Sequence, residues 1–351
     1  MTHYSRILVP EDMPILDALA VITRESSQAV VVVDQAGRLR GVMTDGDVRR
    51  GLLRGSQLHD PVHTVMNGRP RSLSVNARGF AREIMRRAAV QQIPIVDESG
   101  RVVDVEFLES PGIDPSHAIV VLMAGGMGTR LRPLTENLPK PMIQVGGRPV
   151  IETIVSRLVE QGFTRFVVTL NYMGNVIRDY FGDGHQLGAE ISYTVERKRM
   201  GTAGALSLLP ERPEGSLVVM NSDVLTAVDL RSLLAFHHDN RALGTMCVRD
   251  YTLQIPYGVV DADQTSFRGI IEKPSQTFHV NAGIYALEAS VLDMIPSDEY
   301  FEMTTLFERI RDQGDAAAVF PIHEYWLDIG KHDDLERART EWPGLERRRA
   351  A

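Results

Sequence analysis

Apolar residues in this chain come in short runs cut by glycine turns, and over residues 1–112 the same pattern is written twice. AVVVVDQAGRLRGVMTDGDV (29–48) reads as strand, glycine turn, strand. QQIPIVDESGRVVDVEFL (91–108) repeats that plan. The match of Val32-Val33-Asp34 and Gly37-Arg38 to Ile95-Val96-Asp97 and Gly100-Arg101 sets the register. Helical periodicity precedes each copy, in ILDALAVITRES (15–26) and GFAREIMRRAAV (79–90). Two small α/β units, each too small to bury its own face well, are expected to pack together. Periodicity stops in ESPGIDPSH (109–117), where Pro and Gly crowd as at a domain boundary.

Residues 113–351 alternate between strand and helix. Strand runs are AIVVLMA (118–124), RFVVTLN (165–171), AEISYTVE (189–196), SLVVMNSD (216–223), LGTMCVRD (243–250) and AAAVFPIH (316–323). Helical patterns separate the early ones. RPVIETIVSRLVEQG (148–162) places Pro149 near its first turn and Ile151, Val155, Leu158 and Val159 on one side. This alternation predicts an α/β fold with a doubly wound, mixed but largely parallel sheet. Ligands of such sheets collect at the carboxyl ends of strands.

Length and composition narrow the classes. The 351 residues suit two domains, and an apolar fraction of 43% suits globular cores. A net charge of −8 disfavours a general nucleic-acid binder, but leaves room for a local cationic pocket. Cys247 is alone, so neither an intrachain disulfide nor a Cys-rich zinc site is expected. MTHYSRILVPEDMP lacks the apolar core of a signal peptide, and no apolar run approaches the ~20 residues of a membrane span. A cytoplasmic protein is therefore expected.

The candidate chemistry sits in VVLMAGGMGTRLRPLTENLPKPM, 120–142. A buried strand here runs into a loop that is both glycine-rich and cationic. Gly125, Gly126 and Gly128 let backbone N–H groups close on a phosphate. Arg130, Arg132 and Lys140 add charge suited to a polyphosphate. The loop is not a GxxxxGK[ST] P-loop, and Leu131 stands where a dinucleotide GxGxxG needs its third glycine. A plain strand-to-helix glycine turn is the ligand-free alternative.

Ala124-Gly125-Gly126-Met127-Gly128-Thr129-Arg130-Leu131, followed by Pro139-Lys140-Pro141, resembles the signature of the sugar-1-phosphate nucleotidyltransferases. The resemblance covers about 117–340; Met123 replaces a usual leucine. It implies a nucleotide site at Met123, Ala124, Gly125, Gly126, Gly128, Thr129, Gly201 and Thr202. Met200-Gly201-Thr202-Ala203-Gly204-Ala205 is by itself a small-residue turn entering a helix, with an N-cap at Thr202 as the simpler reading. The resemblance further implies Mg²⁺ on Asp223 and Asp328, which otherwise read as a cap for VDLRSLL and a turn residue. It gives Glu272 the sugar hydroxyls and Lys273 the sugar phosphate, with Gly258 and Asn281 completing a sugar pocket. Arg130 and Lys140 would hold the leaving pyrophosphate and the α-phosphate. His237-His238 falls in a helical segment and is expected at the surface.

The doubled front segment, about 5–110, resembles a tandem pair of CBS (Bateman) domains. In that family a Thr or Ser with an Asp three residues on holds a nucleotide. Thr44 and Asp47 fit; the second copy lacks the hydroxyl. One adenine- or guanine-nucleotide effector site is implied, or else Thr44 and Asp47 only cap the next helix. Fused chains of this type look like guanylyltransferases of surface-sugar pathways, using GTP with a glucosamine- or mannose-type 1-phosphate. Uridylyl or thymidylyl transfer, and a catalytically idle nucleotide sensor, remain alternatives. Self-association into a homo-oligomer is also expected.

Overall fold

The computed structural model describes residues 3–25, 27–88, 90–107 and 114–350. The chain divides into two compact units, Met1–Ile113 and Asp114–Ala351. Most of the 109–117 linker lies outside the described residues.

In the first unit the doubling is plain. β1 (Leu8–Pro10), β2 (Ala29–Val33) and β3 (Leu39–Thr44) form one sheet, with α1 (Ile15–Arg24) and α2 (Asp45–Leu53). β4 (Leu73–Ser74), β5 (Gln92–Val96) and β6 (Val102–Phe107) form the other, with α3 (Ala81–Ala88). Each sheet has a parallel pair and then an antiparallel one. The hairpin turns match bond for bond. Asp34 Oδ1 accepts from the N–H of Ala36 and Arg38; Asp97 Oδ1 accepts from Ser99 and Arg101. Gly37 (φ +76°) and Gly100 (φ +80°) take the left-handed position that both turns require. The turns then pair with each other, Leu39 N–H donating to Gly100 O and Val102 N–H to Gly37 O. Ile7, Ala29, Val31, Val42, Val102 and Val105 make the shared core.

Thr44 and Asp47 form a reciprocal capping box on α2. Thr44 Oγ1 accepts from Asp47 N–H, and the Asp47 carboxylate accepts from Thr44 N–H and Oγ1. Capping therefore accounts for both residues, whether or not they also meet a ligand. Thr44→Ala is expected to cost about 1 kcal/mol, read as a lower denaturant midpoint of the full chain. An unchanged midpoint would show the box to be idle.

In the second unit, β7 (Ile119–Ala124) is followed by a small hairpin, β8 (Gln144–Val145) and β9 (Arg148–Pro149), and by α4 (Val150–Glu160). Then come β10 (Arg165–Leu170), α5 (Gly174–Phe181), β11 (Glu190–Val195), the short α6 (Gly201–Gly204), β12 (Leu217–Asn221), β13 (Val224–Thr226) and α7 (Leu230–Asp239). β14 (Gly244–Gln254) and β17 (Ser275–Leu287) are long antiparallel strands, and β15 (Val259–Asp263) and β16 (Ser266–Ile271) form a hairpin between them. α8 (Met303–Asp312), β18 (Ala317–Ile322), β19 (Trp326–Asp328) and α9 (His332–Ala350) complete the unit.

The main sheet has the order β11-β10-β7-β12-β17-β14-β18. It is mixed: β12–β17 and β14–β17 are antiparallel, and the other neighbours run parallel. The chain moves outward from β7 through β10 to β11, then returns to place β12 on β7's other side. That reversal is a switch point, and it opens a crevice at the carboxyl ends of β7 and β12. A core of Val121, Val219, Leu287, Leu306 and Ile310 fixes one face of the sheet. Among the described residues, no helix is long and apolar enough to cross a membrane.

The structure corrects one expectation here. His237 is fully buried, while its neighbour His238 is exposed. Helix α7 turns His237 toward the sheet, where its ring nitrogens meet Thr245 Oγ1 (2.8 Å) and Glu288 Oε1 (3.1 Å). Burial holds its pKa below the usual histidine range, against the pull of Glu288.

Candidate active site

The crevice at the switch point gathers most of the expected residues. β7 runs through Met123 and Ala124 into the glycine loop, and Ser222, just past β12, fastens that strand end by donating its hydroxyl to Met123 O (2.6 Å). Asp223 follows directly. β13 then pairs antiparallel with β19, in a register that sets Val224 opposite Asp328. This pairing brings the two aspartates, remote in sequence, to one place.

Lys140 lies between them. Its ammonium donates to Asp223 Oδ2 and stands 3.8 Å from Asp328 Oδ1. The lysine side chain is 10% exposed. One oxygen of each carboxylate, Asp223 Oδ1 and Asp328 Oδ1, is buried without a hydrogen-bond partner. Burial, and then the neighbouring Asp223 charge, push the Asp328 carboxyl above the usual range. Asp223 is not the cap of α7; Asp229 is, accepting from Arg231 N–H. Two orphaned hard oxygens, one on each of the two carboxylates beside Lys140, fit a divalent cation such as Mg²⁺, which takes one or two carboxylates and fills its octahedron with phosphate and water.

The loop lines the rest of the crevice. Gly128 (φ +60°) packs where a Cβ would come within 3.0–3.2 Å of Thr135 and Lys140, so the glycine permits the lysine's position. A Cβ on Gly126 would meet nothing within 4 Å, which leaves its backbone open to a ligand. Thr129 and Arg130 are exposed at the start of a short 3₁₀ turn. The Arg130 guanidinium reaches over Gly330 beside Asp328 (3.5 Å from an added Cβ there), and it has no ion-pair partner among the described residues.

Gly201 and Thr202 sit differently from the simplest expectation. The N-cap of α6 is Met200, and Thr202 is bound to another segment. Its N–H and hydroxyl both donate to Glu302 Oε2 (3.2 and 2.8 Å), and its Oγ1 accepts from Met303 N–H. Burial raises the Glu302 pKa, but bonds from Tyr300 and Thr202 outweigh it and hold the carboxyl low. Gly201 (φ +76°) lies where a Cβ would be 2.6 Å from Phe301 O. The turn is thus clamped onto residues 299–303. Gly201→Ala is expected to cost about 1–3 kcal/mol from backbone crowding, measured as a lower unfolding midpoint. Unchanged stability would mean the clamp is loose.

Glu272 and Lys273 lie on the β15–β16 arm and are exposed. No bond among the described residues joins them to the aspartates. Lys273 has φ +45°, rare for a side chain of that size, and its N–H donates to Tyr257 O (3.3 Å). Gly258 is required by its own arm, since a Cβ would come within 2.9 Å of both Ile270 and Glu272. Asn281 is engaged locally, with Tyr285 OH (2.8 Å) and Gly283 N–H (2.9 Å).

One residue that the sequence reading passed over stands in this crevice. Glu196 follows β11 and is half-buried against Gly125. Burial raises its pKa above the usual carboxylate range.

A doubly wound sheet with a glycine loop, a free arginine and a lysine-bridged carboxylate pair at its switch point defines a phosphate-handling nucleotide-site fold. A model of the family described as Nucleotidyl transferase matches residues 119–343, and the chain belongs to that family. A CBS domain model matches residues 2–54. The chain is 33% identical over 235 residues to a mannose-1-phosphate guanylyltransferase of Mycobacterium tuberculosis, covering 63% of each. It is 31% identical over 238 residues to a UTP–glucose-1-phosphate uridylyltransferase of Synechocystis, covering 62% of this chain and 61% of that one. The chain therefore spans under two thirds of these relatives' lengths. HddC from Yersinia pseudotuberculosis has a similar solved structure, at a TM-score of 0.50 and 24% identity, over 64% of this chain and 99% of that one. At that identity the likeness is one of fold.

Proposed function

We infer that this chain is a sugar-1-phosphate nucleotidyltransferase, joining a nucleoside triphosphate to a hexose or hexosamine 1-phosphate and releasing pyrophosphate. The observation that carries this reading is the carboxylate pair Asp223–Asp328 with Lys140 between them, beside the Gly125–Arg130 loop. The guanylyltransferase relative supports GTP with a mannose-type phosphate, a glucosamine-type phosphate rests on the sequence resemblance alone, and the uridylyltransferase relative is the reason the base needs its own test.

Positioning and charge neutralisation dominate such a transfer. Both substrates are anions, so they repel until counter-charge is supplied. Asp223 and Asp328 would hold Mg²⁺, which supplies Lewis-acid charge to the phosphates. Arg130 and the open Gly126 amide hold the leaving pyrophosphate, and Lys140 neutralises charge at the α-phosphate. Lys273 and Glu272 receive the sugar phosphate and its hydroxyls from the arm, whose exposure suits a part that moves over a substrate. Gly258 and Asn281 shape that arm and its base. The front unit holds a nucleotide effector at Thr44 and Asp47, and the chain self-associates; the exposed arm residues Tyr257, Phe267 and Ile271 support the latter.

Pyrophosphate release tests the reading, with Mg²⁺, across GTP, UTP, dTTP, CTP and ATP against a panel of sugar 1-phosphates. Release that needs one triphosphate and one sugar phosphate together is the expected result. Nucleotide binding with no release for any pair, even with adenine and guanine nucleotides added as effectors, would favour an idle sensor.

A further inference from the structure

β13 and β19 form a two-stranded sheet of their own, outside the main sheet. Asp328 ends β19, so its place depends on what backs that short strand. Alternation sets Trp326 and Asp328 on one face of β19 and Leu327 on the other. The Asp328 face meets Lys140 in the crevice. Leu327 and its cross-strand partner Leu225 form the opposite face, which is buried. Tyr325, one residue before the strand, falls by the same alternation on the side of Leu327.

The C-terminal helix α9 packs against β19. Its Trp342 is the largest fully buried side chain among the described residues, at 1% exposure. The Trp342 ring lies 5.6 Å from the Tyr325 ring, and the Arg157 guanidinium of α4 lies over it at 5.2 Å. The cavity left beside the indole measures only about 10 Å³, among Thr153, Gln161, Leu225 and Thr226. The Tyr325–Trp342 contact closes the segment that carries Asp328 into a loop, and Arg157 holds that closure on α4. The same helix α4 packs on β13 and on the turn Lys140–Met142. One helix thus underlies Lys140, the strand after Asp223 and, through Trp342, the strand of Asp328. The indole N–H has no partner among the described residues, and a buried unpaired donor is a cost. The position therefore uses the ring's area and reach, not a hydrogen bond.

We propose that Trp342 is a positioning residue for the cation site: by clasping Tyr325 it holds Asp328 in place beside Asp223. Trp342 touches neither aspartate and acts only through β19. The backbone bond from Ile329 N–H to Asp223 O (3.1 Å) sets the register of the two strands. It leaves a three-residue strand free to tilt, and the clasp removes that freedom. Mg²⁺ demands near-ideal octahedral geometry at about 2.0–2.1 Å. A small shift of one carboxylate therefore weakens the cation before it disturbs the rest of the fold. This rests on the reading of Asp223 and Asp328 as cation ligands, and it adds the part of the chain that keeps them together.

The test measures Mn²⁺ binding to the full chain without substrates, by loss of the free-ion electron paramagnetic resonance signal. Mn²⁺ takes the hard oxygen ligands that Mg²⁺ takes. Alongside it, turnover is split into kcat and the half-saturating Mg²⁺ concentration. Trp342→Leu keeps an apolar side chain but loses the ring contact, and Tyr325→Leu breaks the clasp from the other side. Each should raise the Mn²⁺ dissociation constant and the half-saturating Mg²⁺ roughly 10-fold, as for loss of a group that orients a metal ligand. Their kcat at saturating Mg²⁺ should stay within a few-fold of wild type. Trp342→Phe, which keeps a ring and removes the unpaired N–H, should bind Mn²⁺ as wild type does. Ile310→Ala is the control for general loosening: Ile310 faces Gly244 at the amino edge of the sheet, away from the crevice. It should lower the unfolding midpoint and leave metal binding alone. If Trp342→Leu does not fold, Tyr325→Leu decides the matter. Unchanged Mn²⁺ affinity in Tyr325→Leu overturns the proposal, and so does an equal loss of affinity in Ile310→Ala. A wild-type chain that binds no Mn²⁺ and needs no divalent cation for turnover would instead overturn the metal reading beneath it.

Discussion

Asp223→Asn is expected to lower kcat by roughly 10²–10³-fold, with the half-saturating Mg²⁺ concentration raised and the fold retained. The amide keeps the shape of the carboxylate but loses its charge. Of the two buried oxygens without a hydrogen-bond partner, one on each aspartate, one would then carry no charge for a cation. The backbone role of the residue is untouched, because Ile329 N–H donates to Asp223 O and not to its side chain. Far-ultraviolet circular dichroism and the unfolding midpoint should stay near wild type. Activity within a few-fold of wild type at low Mg²⁺ would remove Asp223 from the metal site.

The second large effect is at Lys140, and it separates two roles for one residue. Lys140→Met deletes the cation that lies between the two carboxylates. Turnover should fall by roughly 10²–10³-fold, as for any positioned charge in a transfer site. Stability should also fall, by about 2 kcal/mol, because the two carboxylates beside Lys140 lose their counter-charge. The figure is held down by Asp328, whose side chain is 43% exposed and so shares its charge with water. Magnesium then substitutes for the lost ammonium. The variant's midpoint should rise with Mg²⁺ more steeply than wild type's, since the cation binds the folded state alone. A variant whose stability ignores Mg²⁺ would contradict a metal site on this pair.

How much of this was legible in the sequence depends on range. The doubled front unit was readable because its signals are local: Asp34 and Gly37, like Asp97 and Gly100, write the same turn within four residues. The glycine loop and the alternating strands were readable for the same reason. The meeting of Asp223 with Asp328 was not, on residue pattern alone. It depends on the β13–β19 register, which no local spacing encodes, and only the likeness to a known family pointed to it. Thr202 illustrates the opposite case. Read locally it is a helix cap; in the fold its hydroxyl joins Glu302 and Met303, about 100 residues away. Glu196 was missed because it stands only as the last residue of the strand run AEISYTVE, with no local motif to mark it. A strand ending beside another strand's glycine loop was the signal available, and it becomes usable only once the order β11-β10-β7 is known. His237 failed for want of a partner in view: the groups that make its burial tolerable, Thr245 and Glu288, lie on other elements.

The most direct test of the central claim follows the α-phosphorus. GTP labelled at that atom would be incubated with the purified chain, Mg²⁺ and mannose 1-phosphate or glucosamine 1-phosphate. In-line attack by the sugar phosphate predicts that the label moves into a sugar-bearing nucleotide, with one pyrophosphate released for each label transferred. Label that stays in GTP, or that leaves it as GMP or GDP without any sugar attached, would contradict guanylyl transfer by this site.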